Sequence, residues 1–267
     1  MTPHPSAAAS DTAADAFSVP WSGARAFLDV VAIYALALIG GQIAALLLVG
    51  GVESKDAVLP ALVVFSPIAL FVTTVLWLRL RYGPAGTRVR GRVRPRPSDV
   101  AVGMGFGILC FVVQRLIVTA IALVAGRYGL GLPEVQETFR VIAENPQTAP
   151  LLLLTAVLLA PVAEEMLFRG VLFQGLYYPP PEAPASDRPA RRRRFWLAAF
   201  VSASLFTLAH LGEPGGWFAN VIVVSGILPL GIAFAAILAR RGSLLTVIAT
   251  HATYNAIGVA LLILNIL

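Results

Sequence analysis

Seven long apolar runs, separated by shorter polar stretches, dominate the pattern of the chain. They lie near Ala26–Gly50, Val58–Leu80, Val100–Ala125, Pro150–Tyr177, Phe195–Leu211, Trp217–Ala239 and Ser243–Ile266. Runs of about 18 or more apolar residues are typical of transmembrane helices. Barrel strands are excluded because the runs are too long and show no alternation. The pattern therefore predicts an all-α, polytopic bundle of about seven membrane helices.

Composition supports the same class. Hydrophobic residues make up 58% of the 267 residues and charged residues only 13%, whereas soluble domains average about half apolar and a quarter charged. A water-soluble fold of this length has too little interior for so much apolar surface. The net charge of +6 comes from basic clusters between the apolar runs, which indicate membrane topology rather than nucleic-acid binding. We therefore expect the lipid bilayer, and no nucleic acid, as a partner.

The domain organisation is simple. Residues 1–20 are rich in Ala, Ser, Thr, Asp and Pro and lack the pattern of a signal peptide, so they are predicted to form a disordered N-terminal tail. Residues 21–267 are predicted to form a single transmembrane domain. Within it, Leu132–Asn145 has apolar residues at spacings of four and three, which is typical of a short amphipathic helix on the membrane surface, with an ordinary loop as the alternative.

The arginines predict the orientation. They cluster after the second, fourth and sixth runs: Arg79, Arg81, Arg88, Arg90, Arg92, Arg94 and Arg96; Arg188 and Arg191–Arg194; Arg240 and Arg241. In a seven-helix bundle these three loops share one side, which the positive-inside rule assigns to the cytoplasm. We expect a multi-pass protein of the cell membrane with its N-terminus in the cytoplasm and its C-terminus outside.

The first block of ionisable residues in a membrane run is Glu164-Glu165-Met166-Leu167-Phe168-Arg169-Gly170. Glu165 and Arg169 are four residues apart, so they share a helix face and can form an ion pair. Glu164 points about 100° away and is left free for another task. A buried ion pair that only fixes packing is the alternative, but it leaves Glu164 unexplained. Ionisable side chains inside a bilayer are costly and therefore indicate function.

Two further polar blocks lie on other membrane runs. Phe206 and His210 share a face of the fifth run, and His251 and Asn255 share a face of the seventh. Taken singly, each is compatible with a core histidine or with a hydrogen bond between helices. Counted from the cytoplasmic ends, Glu164, His210 and Asn255 lie about 18–22 Å deep and His251 about 12 Å deep. The three blocks are therefore predicted to meet in one polar pocket.

The residue types in this pocket suit peptide-bond hydrolysis. A carboxylate in a poorly solvated site can act as a general base, and an imidazole can position the water or share its proton. An amide and a second imidazole can donate hydrogen bonds to the oxyanion of a tetrahedral intermediate. The chain has neither a His-Glu-x-x-His zinc motif nor a nucleophile elbow around its serines.

The motifs Glu-Glu-x-x-x-Arg, Phe-x-x-x-His and His-x-x-x-Asn, in this order on separate membrane helices, resemble those of the CAAX prenyl protease and bacteriocin-processing (Abi) family. The resemblance covers a family core of about 150–266, and all motif positions match. It implies an intramembrane protease whose active site lies between helices four, five and seven.

The resemblance also implies a role for each motif residue. The implied catalytic residues are Glu164 and His210, which activate water, and His251 and Asn255, which form the oxyanion hole; the implied supporting residues are Glu165, Arg169 and Phe206, with Phe206 packed beneath His210.

Metal use is left open by the same resemblance, because the family has been described both as metalloproteases and as metal-free glutamate proteases. If zinc is bound, Glu164, His210 and His251 are the candidate ligands. We favour a metal-free site that requires no cofactor, because Asn255 is a weak zinc ligand but a good oxyanion donor.

Other functions remain compatible with the sequence. The expected partner of a protease is a peptide or membrane-protein substrate. A catalytically silent scaffold or bacteriocin-immunity protein is one alternative. A proton-coupled transporter is another, weakened by the absence of an evident inverted repeat. Arg115, in the third run, is interpreted as a partner of an acidic group such as Glu165, of a substrate carboxylate, or of backbone carbonyls.

Overall fold

The computed structural model describes residues 19–48, 55–86, 89, 91, 94–130, 149–178, 188–211 and 216–264. Nearly all of the predicted N-terminal tail (1–20) and all of the predicted amphipathic helix Leu132–Asn145 lie outside the described residues. Both remain predictions from the sequence.

Every secondary-structure element in the described residues is helical, which confirms the all-α class. The seven helices are α1 (Ala24–Leu48), α2 (Lys55–Gly86), α3 (Pro97–Arg127), α4 (Ala149–Tyr177, in five consecutive segments), α5 (Arg188–Leu208), α6 (Gly216–Arg241) and α7 (Leu244–Ile263). Six stretches in this part of the chain are long and apolar enough to cross a membrane: Ala24–Leu47, Pro60–Gly86, Pro97–Arg127, Ala149–Tyr177, Gly216–Arg241 and Leu244–Ile263. The protein is therefore a multi-pass helical bundle of the membrane.

Helix α5 differs from its prediction at both ends. It begins at Arg188, so Arg191–Arg194 form its first turns instead of a loop. Arginine is a good helix former, whereas hydropathy marks only the apolar part of a helix. That part, Phe195–Leu208, has 14 residues and a length of about 21 Å, which is shorter than the roughly 30 Å hydrocarbon core. At the other end, α5 stops at Leu208 and His210 lies in the turn that follows.

Members of the two other arginine clusters are also helical where loops were expected. Helix α2 continues to Gly86 with a kink at Gly83 (φ +60°), so Arg79 and Arg81 belong to its later turns. Arg240 and Arg241 form the last turn of α6. The reason is the same as in α5: the helices extend past the ends of their apolar runs.

Helix α4 is not a regular α-helix. It consists of the α-helical segments Ala149–Leu154, Ala160–Glu165 and Gln174–Tyr177 and the π-helical segments Thr155–Leu159 and Met166–Phe173. The peptide N–H of Ala160 bonds to the carbonyl of Thr155, five residues earlier. The next residue, Pro161, has no N–H to donate. Single π turns often occur at functional sites, and the two turns here flank Glu164 and Glu165.

The core of the bundle is built around α4, whose residues 167–175 are all buried. Helices α3 and α7 pack closely against each other, because a Cβ added to Gly103 or Gly107 of α3 would lie 2.6 Å from atoms of α7. Glycine at such contacts allows two membrane helices to approach. Large apolar side chains on the outer faces of α1 and α3, such as Leu47 and Leu116, are exposed, as expected of surfaces that face lipid tails.

Candidate active site

One cavity of about 500 Å³ brings the predicted catalytic side chains together. Glu164 of α4, His210 at the end of α5, and His251 and Asn255 of α7 all line it. The other helices contribute as well, which the sequence did not predict: Tyr34 from α1, Ser66 from α2, Gln114 and Arg115 from α3, and Gly226 from α6 are further lining residues. The polar residues therefore share a chamber in a mainly apolar bundle.

Glu165 and Arg169 form the ion pair that their spacing predicts. Arg169 Nη1 donates to Glu165 Oε1 at 3.0 Å, and both side chains are fully buried. The guanidinium lies between two aromatic rings, with its Cζ 4.3 Å from the centroid of Phe206 and 5.2 Å from that of Phe234. Its Nη2 also donates to the carbonyl of Gly231 at 3.3 Å. The pair thereby links α4 to α5 and α6.

His251 is held by the same carboxylate. Its Nδ1 lies 2.9 Å from Glu165 Oε1. A carboxylate oxygen accepts hydrogen bonds, so Nδ1 carries the proton and donates. The other ring nitrogen, Nε2, lies 3.9 Å from Glu164 Oε2. The imidazole thus stands between two carboxylates, with Nδ1 engaged in the core and Nε2 on the side of Glu164.

Glu164 differs from its neighbour in exposure. Its side chain is 20% exposed, whereas that of Glu165 is fully buried. Among the described residues its closest ionic contact is the 3.9 Å approach to His251, which is longer than a hydrogen bond. Glu164 therefore keeps its carboxylate oxygens available to a molecule in the cavity.

His210 is oriented by the last turn of α5. Its Nδ1 lies 2.7 Å from the carbonyl oxygen of Phe206, which can only accept, so Nδ1 is the donor. The imidazole also packs on the ring of Phe206, with centroids 4.6 Å apart. Phe206 contacts Phe168 and His251 as well, at 5.3 and 5.9 Å between centroids. With Nδ1 fixed in this way, Nε2 of neutral His210 is a proton acceptor.

Asn255 donates from Nδ2 to the carbonyl oxygen of Ala156 at 2.7 Å. This bond fixes the amide against the π turn of α4. A primary amide has two N–H groups, so one remains for a second acceptor in the cavity.

The candidate zinc ligands do not form a ready-made metal site. Within the ranges that the structure describes, no three His, Cys, Asp or Glu side chains are close enough together to hold a metal ion. Both histidines use Nδ1 within the protein and leave Nε2 free, which is the usual arrangement of a metal-binding imidazole. Because the side chains are too far apart, binding zinc through Glu164, His210 and His251 would require them to move closer together.

Several contacts of this site were not predicted. The bond from His251 to Glu165 joins residues 86 positions apart, and no local spacing reveals it. Phe234, which lies 5.3 Å from His251 between ring centroids, belongs to a run that was interpreted only as a membrane helix. The suggested pairing of Arg115 with Glu165 is wrong, because Glu165 Oε1 accepts from Arg169 and His251 instead.

The part of the chain that carries the three motifs also resembles a known protein family. No curated protein and no solved structure matches the chain. A protein-family comparison does match, over the region that supplies Glu164, His210, His251 and Asn255, and it confirms the resemblance noted in the sequence. Residues 146–257 carry the pattern of the type II CAAX prenyl endopeptidase family, described as Rce1-like.

Proposed function

We propose that this protein is an intramembrane endopeptidase that hydrolyses a peptide bond with water activated by a glutamate. The family match supports a CAAX-type intramembrane endopeptidase at the level of the family. The observation that carries the more detailed proposal is the shared cavity of Glu164, His210, His251 and Asn255. It holds a base, a proton acceptor and hydrogen-bond donors within one membrane bundle.

In the first step, Glu164 removes a proton from a water molecule and His210 orients it. The partly exposed carboxylate of Glu164 provides the general base. Nε2 of His210 accepts a hydrogen bond from the same water, because Nδ1 is committed to Phe206. The hydroxide adds to the carbonyl carbon of the substrate and the electron pair of the C=O bond moves onto the oxygen.

In the second step, His251 and Asn255 stabilise that oxyanion. Asn255 supplies the amide N–H that Ala156 does not use. His251 supplies Nε2–H, which requires the imidazolium form because Nδ1–H already bonds to Glu165. Carboxylates on both sides of the ring, at 2.9 and 3.9 Å, provide the countercharge. Fixed donors of this kind commonly give one of the largest contributions to hydrolytic catalysis.

In the third step, the intermediate collapses. The oxyanion re-forms the C=O bond, the C–N bond breaks, and protonated Glu164 gives its proton to the leaving nitrogen. The products are an amine and a carboxylic acid, and Glu164 returns to its starting state. Every proton in this sequence moves between water, substrate and Glu164, so no cofactor is needed.

The supporting residues keep the two imidazoles in place. Glu165 holds Nδ1 of His251, and Arg169 holds Glu165. Phe206 lies between the guanidinium of Arg169 and the ring of His210. We therefore assign positioning roles to Glu165, Arg169 and Phe206, and assign contact with the substrate or water to the other four motif residues.

The substrate is a peptide or membrane-protein segment that enters from the bilayer. The cavity walls combine the polar residues with apolar side chains such as Leu62, Phe111 and Ile222, which suits a chain that is partly lipid-soluble.

In the proposed orientation the N-terminus is cytoplasmic and the C-terminus lies outside.

Quantitative proteomics on cells that express the wild type or Glu164→Ala tests this function. A cleavage product that appears with the wild type and disappears with Glu164→Ala is expected. Ser225→Ala is a suitable control, because Ser225 lies on α6 and its hydrogen bond among the described residues stays within that helix, to the carbonyl of Val221. Suppose that no cleavage product depends on Glu164, and that cells expressing Glu164→Ala or Ser225→Ala behave like cells expressing the wild type. The protein then acts as a scaffold and the protease proposal is wrong.

A further inference from the structure

We infer that Tyr34 is a further catalytic residue, whose hydroxyl donates a proton to the leaving nitrogen of the substrate. This inference rests on the proposed function and refines its third step. Tyr34 lies on α1, outside the residues 146–257 that carry the family pattern. The reaction thereby gains a group from a helix that holds none of the three motifs.

Tyr34 belongs to the cavity that holds the catalytic residues. It lines this cavity together with Glu164, His210, His251 and Asn255. Its side chain is half-buried, and its phenol is close enough to interact electrostatically with the carboxylate of Glu164. Glu164 therefore has a phenol in its surroundings as well as the two imidazoles.

The packing of α1 on α4 places this phenol at the level of Glu164. Just before α1, the N–H of Gly23 donates to the carbonyl of Gly175 at 2.8 Å. Further along α1, the ring of Tyr34 lies against that of Phe168, with centroids 6.3 Å apart, so the two helices run in opposite directions. A helical side chain covers the turn on the N-terminal side of its own Cα. The ring of Phe168 therefore lies over the turn that contains Glu164, and Tyr34 reaches the same turn.

The hydroxyl of Tyr34 is available for chemistry, unlike those of two other tyrosines. Tyr82 donates to Asp29, and the hydroxyl of Tyr177 accepts from Arg191. Among the residues that the structure describes, the hydroxyl of Tyr34 has no hydrogen-bond partner. A tyrosine hydroxyl inside a fold usually has one. Because Tyr34 lines the cavity, a molecule bound there would supply that partner.

Peptide-bond cleavage needs a proton donor at this place, because nitrogen cannot leave as an anion. As the C–N bond breaks, its electron pair moves onto the nitrogen, which takes the proton of the Tyr34 hydroxyl. The phenolate then takes the proton that Glu164 acquired from water. Tyr34 ends as a neutral phenol and Glu164 as a carboxylate, so the net result equals a direct transfer. Tyrosine is protonated at neutral pH and is a known general acid.

Two matched probes test this step. One is a peptide that spans the cleavage site found by the proteomics comparison. The other is a depsipeptide of the same sequence, in which an ester replaces the scissile amide. An alkoxide can leave the tetrahedral intermediate before it is protonated, whereas nitrogen cannot. Single-turnover rates on both probes are measured in one detergent for the wild type and for each variant of the full chain.

Tyr34→Phe and Tyr254→Phe form a matched pair of variants. Tyr34→Phe removes the hydroxyl and keeps the ring that packs on Phe168. Tyr254→Phe makes the same change at a second tyrosine of the cavity wall, whose ring packs on Phe111. Both proteins should keep the melting temperature of the wild type, because each change leaves the aromatic packing in place.

Tyr34→Phe should slow cleavage of the peptide by about a hundred- to ten-thousandfold, the usual contribution of a general acid. It should cleave the ester at nearly the wild-type rate, and Tyr254→Phe should cleave both probes like the wild type. An unchanged peptide rate in Tyr34→Phe would overturn the inference. Equal slowing of both probes would overturn it as well, because the hydroxyl would then orient the substrate or stabilise the oxyanion.

Glu164→Gln separates this inference from the proposed function. It should cleave neither probe, because both reactions need the base. If Glu164→Gln cleaved the peptide at the wild-type rate while Tyr34→Phe lost only the peptide, the proposed base would be wrong and Tyr34 would remain the proton donor. A wild type that cleaves neither probe would contradict the protease and overturn the inference with it.

Discussion

The side-chain amide of Asn255 donates a hydrogen bond to the backbone carbonyl of Ala156, with Nδ2 and O 2.7 Å apart. In this π turn, peptide N–H groups bond five residues back, as Ala160 does to Thr155. The group that would reach Ala156 in the same pattern belongs to Pro161, which has no N–H. The proline therefore leaves one carbonyl of α4 without its helical partner, and Asn255 of α7 takes that place.

This relationship predicts a coupling between Asn255 and Pro161. Asn255→Ala leaves the Ala156 carbonyl unpaired and should lower the free energy of unfolding by about 1–3 kcal/mol. Pro161→Ala restores an N–H that can bond to the same carbonyl. In that background the cost of Asn255→Ala should fall, giving a coupling of about 1 kcal/mol. Thermal unfolding of the four proteins in detergent measures the cycle, and strictly additive costs would contradict the explanation.

Removal of Arg169 should damage folding. Arg169→Ala leaves the fully buried carboxylate of Glu165 without its cationic partner, which typically costs about 3–5 kcal/mol. We expect a low yield of folded protein and a reduced melting temperature. Arg127→Ala is the matched control, because Arg127 is exposed and surface changes usually alter stability by less than about 0.5 kcal/mol. An Arg169→Ala protein that is as stable as the wild type and only cleaves its substrate more slowly would argue against a structural role for Arg169.

Features that depend on residues close together in the sequence could be predicted, whereas contacts between residues far apart in the sequence could not. Hydropathy located the seven helices, six of which contain stretches long and apolar enough to cross a membrane, because an apolar run is a property of each segment alone. The pairing of Glu165 with Arg169 followed from a spacing of four. Arg191–Arg194 were assigned to a loop because hydropathy does not mark where a polar helical turn begins.

The contacts that orient His251 could not be predicted from the spacing of residues along the chain. They depend on how α4, α6 and α7 pack: Glu165 holds Nδ1 and Phe234 lies against the ring. The π turns of α4 were also missed, since a period of 3.6 residues was assumed throughout. The available signal is Pro161, because a proline inside a helix removes one backbone N–H, but that signal does not specify a π turn.

The proposed orientation can be measured by thiol labelling. The only cysteine of the chain, Cys110, is first replaced by alanine. Arg192→Cys, on an exposed position at the start of α5, should then react with an impermeant reagent only after the membrane is opened, because the positive-inside rule assigns it to the cytoplasm. Glu213→Cys, which follows α5 in the sequence, should react in intact cells, because the proposed orientation places the segment between the fifth and sixth runs outside. The reverse pattern would refute the orientation.

A metal-free mechanism predicts that chelators have no effect. Cleavage of an identified substrate should continue at an unchanged rate in the presence of 1,10-phenanthroline, because the proposed steps use only side chains and water. The assay requires a control with an established zinc protease in the same detergent. Inhibition that added zinc reverses would contradict the proposal and would point to Glu164, His210 and His251 as ligands.

The final prediction concerns the kind of damage that two changes cause in the active site. Glu164→Gln keeps the size of the side chain and removes the base, so cleavage should be abolished. Folding should be nearly unchanged, since Glu164 is partly exposed and its nearest ionic contact is 3.9 Å away.

Asn255→Ala leaves the activated water in place and removes one oxyanion donor, which typically costs about a hundred- to a thousandfold in rate. It should also lower stability, because the same amide holds the Ala156 carbonyl. Single-turnover rates and melting temperatures of both proteins, measured on one substrate, therefore separate the two roles. Cleavage by Glu164→Gln at the wild-type rate would show that another group is the base. A stable Asn255→Ala protein that cleaves the substrate at the wild-type rate would show that Asn255 is not part of the oxyanion hole.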